Sequence, residues 1–558
     1  MHMTPVDETF DFVIAGSGGG SMCAALVLRS LGKSVLILEK TGHIGGTTAR
    51  SGGVMWIPDN RFMRRDGIED SFANASTYLE SVVAGHEDQP GTTRGRRDTY
   101  LRQASHMVDF LVEQGIKLDR VPYWPDYYDD RPGGLAVGRT VVADIFDTNE
   151  LGSWREKLQP GFVNMPAMLD DAMKIRTLKQ SWVGRKMLLK IGLATVIAKL
   201  RRQNFVSAGA ALQGRMLQAA LKAGVDIRTD WPVTGFIEND GRIVGVTTAH
   251  DGKPKLIGAR LGVLVNAGGF SLNQHMRDTY QPGTSAKWSQ VTAGDTGEMI
   301  EEMMRHGAAI GQMEEMVGYQ MMIPPGCEND MVKPPIQTVT ASPHCILVDQ
   351  TGVRYLNEGG SYMAYCKAML ERNKTITAVP SWAIFDQQYL DKYGLANSMA
   401  SNWKRKKWIA SGFMKTGANI EALAKAIGAP PDSLRTTVDR FNGFVAAGHD
   451  LDFQRGQRAY DNWLGDPYNR PSQTLGSIER GPFYALPVLP GDVGTYGGVV
   501  TDERARVLRG DGSVIDGLYA TGISTASVFG RAYPGAGASV GPSFLWGYVA
   551  AHDAVAGA

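Results

Sequence analysis

The sequence predicts an α/β protein in which one nucleotide-binding domain is assembled from both ends of the chain, with an α+β cap inserted between its two parts. Three observations carry this. The chain opens on an apolar strand, a glycine turn and a helix; it closes on a strand ending Ala520-Thr521-Gly522, a glycine loop and an apolar helix; and the stretch between mixes strand-like and helix-like patterns without a repeat. The limits expected are 1–315 and 483–558 for the nucleotide-binding parts and 316–482 for the cap.

The bulk numbers suit this division, because 558 residues exceed what a single core usually fills, about 250. Lysine plus arginine number 58 against 57 acids, so the net charge of +1 suggests neither nucleic acid nor a strongly acidic partner. The N-terminus lacks a basic n-region and a cleavable apolar core, and no uncharged apolar run reaches the roughly 18 residues of a membrane span. Cys23, Cys327, Cys345 and Cys366 show no C-x-x-C or zinc spacing, so no metal, cluster or disulfide framework is expected and a cytoplasmic setting is.

Taken in order, "DFVIA" (Asp11–Ala15) is a short buried strand, "GSGGGSMCAALVLRSLG" a turn and helix, and "SVLILEK" a second strand ending in Glu39. This is a Rossmann-like fingerprint: Gly16 and Gly18 allow a tight turn against a pyrophosphate, and Glu39 stands where an acid accepts ribose hydroxyls. The third small position departs from it, being Ser21. The next loop, "TGHIGGTTARSGGVMWIP", offers Gly45, Gly46, Thr47, Thr48, Ser51, Gly52 and Gly53 as a second set of backbone donors and hydroxyls, which a nicotinamide enzyme does not need.

From Lys174 to Arg202 every charge is basic, and Leu189, Leu193, Val196, Ile197 and Leu200 share a helical face with Arg185, Lys186, Lys190 and Lys199 beside it. Two readings stand: a helix lying on a membrane surface, within 174–205, or a solvated surface helix. Next, "ALQGRMLQAALKAGVDIRTDWPVTGFIENDGRIVGV" reads as helix, strand and hairpin, and "GVLVNAGGF" as a buried strand ending at Ala267, Gly268 and Gly269. The methionine-dense stretch "MIEEMMRHGAAIGQMEEMVGYQMMIPPG", assigned to the cap, either lines a pocket for a large lipid or packs the core of an amphipathic helix.

The two glycine loops, the A-T-G strand and the last helix resemble the flavoprotein superfamily of fumarate reductase and succinate dehydrogenase flavin subunits. That resemblance implies FAD. Where those subunits carry an arginine, "GRAYPGAGASVGP" carries Tyr533, a neutral donor suited to a ketone oxygen. The "YPG-x-G" loop, "WPDY" (Trp124–Tyr127) and "NE-x-x-x-Y" (Asn357–Tyr362) narrow the resemblance to the 3-ketosteroid Δ1-dehydrogenases, over nearly the full length apart from the basic segment.

What the resemblance implies is specific. Tyr533 and the Gly537 N–H would hold the C3 carbonyl of a 3-ketosteroid, Tyr362 would take the C2 proton, and Tyr127, with Tyr123 or Tyr128 as alternatives, would support Tyr362 and lower its pKa. The C1 hydride would pass to FAD. Cofactor contacts are implied at Gly16, Ser17, Gly18, Gly19, Gly20, Glu39, Lys40, Gly46, Thr47, Thr48, Ser51, Gly52, Gly53, Val233, Ala267, Gly268, Gly522, Ser539 and Val540, with the positive end of the last helix toward the flavin. "GGTTARSGG" has no histidine and His43 lies earlier, so the FAD is expected to be noncovalent. Cholest-4-en-3-one is an expected substrate and a quinone or soluble carrier the expected external acceptor. The competing readings are a Δ4-(5α)-dehydrogenase, an acid reductase using Arg531, and a noncatalytic flavin- or sterol-binding protein.

Overall fold

The computed structural model describes residues 6–85, 89–330, 333–334, 336–394 and 401–557. Its larger sheet has eight strands among the described residues. Glu8–Ala15 is central, parallel to Lys253–Val265 on one side and to Val35–Glu39 on the other; Val514–Ala520 and Asp226–Thr229 continue the parallel run outward. Both faces are covered, so Val13, Ile14, Leu36 and Ile37 are all buried, and the strands read as unbroken apolar runs for that reason. Ala15 stands level with Val265 and with Leu38, which brings Gly16, Glu39 and Ala267 out together at the carboxyl edge of the sheet. That edge is where an open parallel sheet binds its ligand.

The pairing of Val514–Ala520 with Lys253–Val265 puts both ends of the chain in one sheet. Helix Gly19–Ser30 packs there against the last helix, Val540–Ala556, in a core that includes Leu26, Leu212, Leu545 and Trp546.

A second, antiparallel sheet contains Met316–Met321, Cys345–Val348, Ser381–Phe385, Lys415–Gly417 and Phe483–Thr495. Phe483–Thr495 pairs with three of the others. The expected return to the nucleotide-binding part at residue 483 is therefore corrected: this strand belongs to the cap sheet, and the chain rejoins the larger sheet after Thr495. An apolar run does not announce which sheet it will pair with. The methionine-dense stretch also divides between the two bodies. Met299 and Met303 pack beneath the larger sheet with Ile300, while Met316, Met321 and Met322 are buried at the second, so the methionines are mainly core and among them Met299 alone reaches the cavity described below.

Candidate active site

A cavity of about 1130 Å³ runs from the carboxyl edge of the larger sheet to the cap. Its nucleotide end is built by backbone that side chains would block. Gly16 has φ +93°, and a Cβ there would stand 2.3 Å from the Asn266 carbonyl oxygen. Beyond it the helix Gly19–Ser30 has no acid in its first turn, leaving its positive N-terminal end uncompensated. Glu39 is held in place by the Ser17 N–H (3.1 Å) and hydroxyl (2.6 Å) on one oxygen and the Thr41 N–H (2.9 Å) on the other. Lys40 donates to Thr296 Oγ1 at 2.6 Å and pairs with Glu298 at 3.0 Å.

The wall contains Gly16, Ser17, Gly18, Glu39, Lys40, Gly46, Thr47, Thr48, Ser51, Gly52, Val233, Ala267, Gly268, Gly522, Ser539 and Val540. Gly19, Gly20 and Gly53 lie outside it. A Cβ on Gly19 would meet the Phe544 ring at 2.0 Å, one on Gly20 the Ser543 carbonyl at 2.3 Å and one on Gly53 the Ala208 backbone at 2.3 Å, so their smallness serves packing. Asp295, which sequence reading missed, also faces the cavity. It is 2% exposed and finds no hydrogen-bond partner among the described residues, although the Ser271 and Gly269 N–H groups are aimed at it from outside full hydrogen-bond geometry. Burial first, then the Asp492 charge, push it up to about 7. A glycine cradle at a helix N-terminus, hydroxyls along a second loop, an acid at the end of the second strand and a partnerless buried carboxyl fit a flavin dinucleotide. The volume leaves room for a second molecule beside it.

At the other end three tyrosines form a triangle. Ring centroids are 5.3 Å apart for Tyr127 and Tyr362, 5.4 Å for Tyr362 and Tyr533, and 5.8 Å for Tyr127 and Tyr533. All three line the cavity with Gly537. Tyr123 is 68% exposed and Tyr128 is not in the wall, so Tyr127 is the partner of Tyr362. The Tyr533 hydroxyl lies 3.0 Å from Ser539 Oγ, and the Gly537 N–H donates to no partner among the described residues. Tyr460, 4.2 Å from Tyr127, and Tyr319, 5.6 Å from Tyr362, extend the cluster. Neither was anticipated, because "RAYDNW" and "MVGYQMM" carry no motif.

The Tyr127 hydrogen bond acts on the Tyr362 pKa in the expected direction but is outweighed. Burial, and then the neighbouring Tyr533 oxygen, push this phenol well above its ordinary value, and the hydrogen bond from Tyr127 opposes them only in part. Tyr533 is raised by the same burial, but bonds from Ser539 and Tyr362 favour its ionised form.

The sequence elements around the triangle are tied to one another. The Tyr127 N–H and the Tyr78 hydroxyl both donate to the Pro534 carbonyl, at 3.0 and 2.5 Å, fastening "WPDY" to "YPG". Asp126 accepts from Trp56 Nε1 at 2.8 Å and from Arg139 at 2.5 Å. In "NEGGSY", Glu358 is buried between Arg354 (2.8 Å) and Arg455 (3.1 Å), four residues before Tyr362 opens the helix Tyr362–Asn373. Arg531, by contrast, does not line the cavity and pairs with Glu314 and Glu315, so the arginine read as serving an acid reductase is already engaged.

The family described as FAD binding domain matches residues 11–540. A 3-oxosteroid 1-dehydrogenase of Mycolicibacterium smegmatis is 37% identical, over 98% of each chain. A 4-oxocyclohexanecarboxylate 2-dehydrogenase of Sinomonas cyclohexanicum is 32% identical over 97% of this chain and 92% of its own. Among solved structures, a 3-ketosteroid Δ1-dehydrogenase from Sterolibacterium denitrificans in complex with 1,4-androstadiene-3,17-dione superposes with a TM-score of 0.91 at 32% identity, covering 99% of this chain and all of that one.

Proposed function

Because this chain belongs to the family of FAD-dependent 3-oxosteroid 1-dehydrogenases, we propose that the tyrosine triangle carries out the proton chemistry of a 3-ketosteroid 1,2-dehydrogenation, with Tyr362 as base. The enzyme is a flavin oxidoreductase acting on a CH–CH bond. Bound FAD supplies the acceptor for the hydride that leaves C1.

The remaining work falls to the chain. The Tyr533 hydroxyl and the free Gly537 N–H, both in the wall at the same end, hold the C3 carbonyl oxygen and draw charge onto it as the C2–H bond breaks. Preorganised donors of this kind are each worth about 10²- to 10³-fold in rate. The Tyr362 oxygen takes the C2 proton, and the Tyr127 hydroxyl, which donates to that oxygen, steadies its charge beforehand. Water-poor surroundings strengthen each of these bonds. The observation that carries this reading is the meeting, in one cavity, of a dinucleotide cradle at one end and a neutral ketone-binding pair with a tyrosine base at the other.

Cholest-4-en-3-one is the substrate we favour, and an external quinone or soluble carrier the final acceptor. The helix Trp182–Leu200 supports the first choice: Trp182, Leu189 and Leu200 are each more than 70% exposed, and every charge the helix itself carries is basic. No helix among the described residues is long and apolar enough to cross a membrane; in this reading the basic helix lies along a membrane surface. An anaerobic visible spectrum tests the function. Adding the ketosteroid should bleach the flavin and yield the 1,4-dien-3-one; an unbleached flavin, or a Δ4 product, would reject the reading.

A further inference from the structure

The helix Ser401–Ala410, "SNWKRKKWIA", plays no part in the chemistry, yet its two described tryptophans face opposite ways. Trp408 is 4% exposed and packs edge-on against Phe413 at 5.4 Å, which fixes the inner face. Trp403 is 66% exposed and shares the outer face with Lys406 and Lys407, at i+3 and i+4; Lys407 Nζ lies 5.4 Å from its ring centroid. Lys404 and Arg405 add two more cations, and the helix holds no acid.

Its position matters as much as its charge. The Lys407 charge reaches Glu328, whose carboxyl is held below its ordinary range by its own and the Gly326 N–H groups, and then by Lys333 and Lys407. Lys333 donates to the Glu328 carbonyl at 2.9 Å and lines the cavity. Trp408 packs in one core with Met322 and Ile336, beside Gln337 of the cavity wall, so the helix backs this part of the wall. Phe162, Leu169 and Met173 also line the cavity, and the chain runs from them into Trp182–Leu200. The root of that basic helix is fastened to the segment preceding Ser401–Ala410: Lys179 Nζ donates to the Asp391 carbonyl at 2.9 Å and Gln180 Nε2 to the Lys392 carbonyl at 2.6 Å.

We propose that Ser401–Ala410 is a second lipid-binding helix, which with Trp182–Leu200 seats the cavity mouth on an anionic bilayer, so that a water-insoluble ketosteroid enters from the lipid. The proposal rests on the membrane reading of Trp182–Leu200. An exposed tryptophan among lysines is the combination an anionic interface accommodates, ring at headgroup depth and ammonium groups on lipid phosphates. A wholly polar acidic partner would leave the Trp403 ring without a use.

The test is partitioning of the holoenzyme onto vesicles of phosphatidylglycerol and phosphatidylcholine in equal parts. Trp403→Ala/Lys406→Gln/Lys407→Gln should lower the partition coefficient roughly 20-fold or more, at about fivefold per basic residue. Its turnover of a short, soluble 3-ketosteroid should be unchanged. Lys406→Arg/Lys407→Arg, which keeps the charge, should partition like the parent; a loss there would mean that the fold and not the charge was disturbed, and would overturn the proposal. Lys190→Gln/Lys199→Gln in the other helix separates the two ideas. If that variant detaches while the triple variant binds like the parent, the second contact is refuted and the first stands. If the parent itself fails to bind, both fall.

Discussion

As the proposed base, Tyr362 must lose its phenolic proton in a pocket that opposes charge, since burial and Tyr533 raise its pKa well above the usual 10 and the Tyr127 bond alone works against them. The ionised form is the base, so turnover should climb with pH from neutrality and still be climbing near pH 10. A plateau near neutrality would point to another group. Tyr127→Phe removes the favourable bond and should shift this limb to higher pH, lowering kcat at pH 8 by about tenfold or more, since a hydrogen bond to a charged group contributes about 1.5–3 kcal/mol. Tyr362→Phe should cost about 10²- to 10⁴-fold in kcat while flavin absorbance and steroid binding persist. Asp295 offers a test that does not involve turnover. Its native pKa of about 7 lies above the ordinary 3.8, so between those values the folded chain holds a proton that the unfolded chain has lost. Stability from this group is present at low pH and is lost as pH rises through that window. Asp295→Asn should therefore raise the melting temperature of the flavin-free protein at pH 8 more than at pH 5.

At the scale of elements, the site depends on three short segments holding one another in register. The loop after Gly535 is set by Gly537, whose φ is +90° and whose added Cβ would stand 2.3 Å from the Val54 carbonyl oxygen. Gly537→Ala should displace the N–H and reduce turnover by about 10²-fold or more, read against an unchanged flavin spectrum. The turn before Tyr362 depends on Glu358, paired on both sides by buried arginines. Glu358→Ala leaves Arg455 without a carboxylate and Arg354 with Asp450 alone, and should cost about 3–5 kcal/mol in unfolding free energy, measured by denaturant titration. The motif spacing "NE-x-x-x-Y" thus has two parts with different work: the acid fastens the turn and the tyrosine reaches the cavity.

At the scale of the whole molecule, the cavity exists because two sheets of different origin meet along it, and the chain that lines it at Leu169 and Met173 runs on into the exposed basic helix. The intact holoenzyme should float with anionic vesicles and be released as salt shortens the Debye length to about 3 Å near 1 M. Much of the nucleotide end could be read from local pattern alone: the turn at Gly16 requires a residue free of Cβ, the acid closing "SVLILEK" follows the strand directly, and apolar runs mark strands buried on both faces. Such features depend on backbone sterics and on neighbours a few residues apart, which the sequence displays. The tyrosine elements were legible only as motifs. That Tyr127 and not Tyr123 or Tyr128 meets Tyr362, that Tyr319 and Tyr460 join them, that Phe483–Thr495 pairs in the cap sheet, and that burial raises the Tyr362 pKa were settled by contacts between residues tens to hundreds of positions apart. Burial and pairing are properties of the packed chain, and no local stretch of sequence contains them.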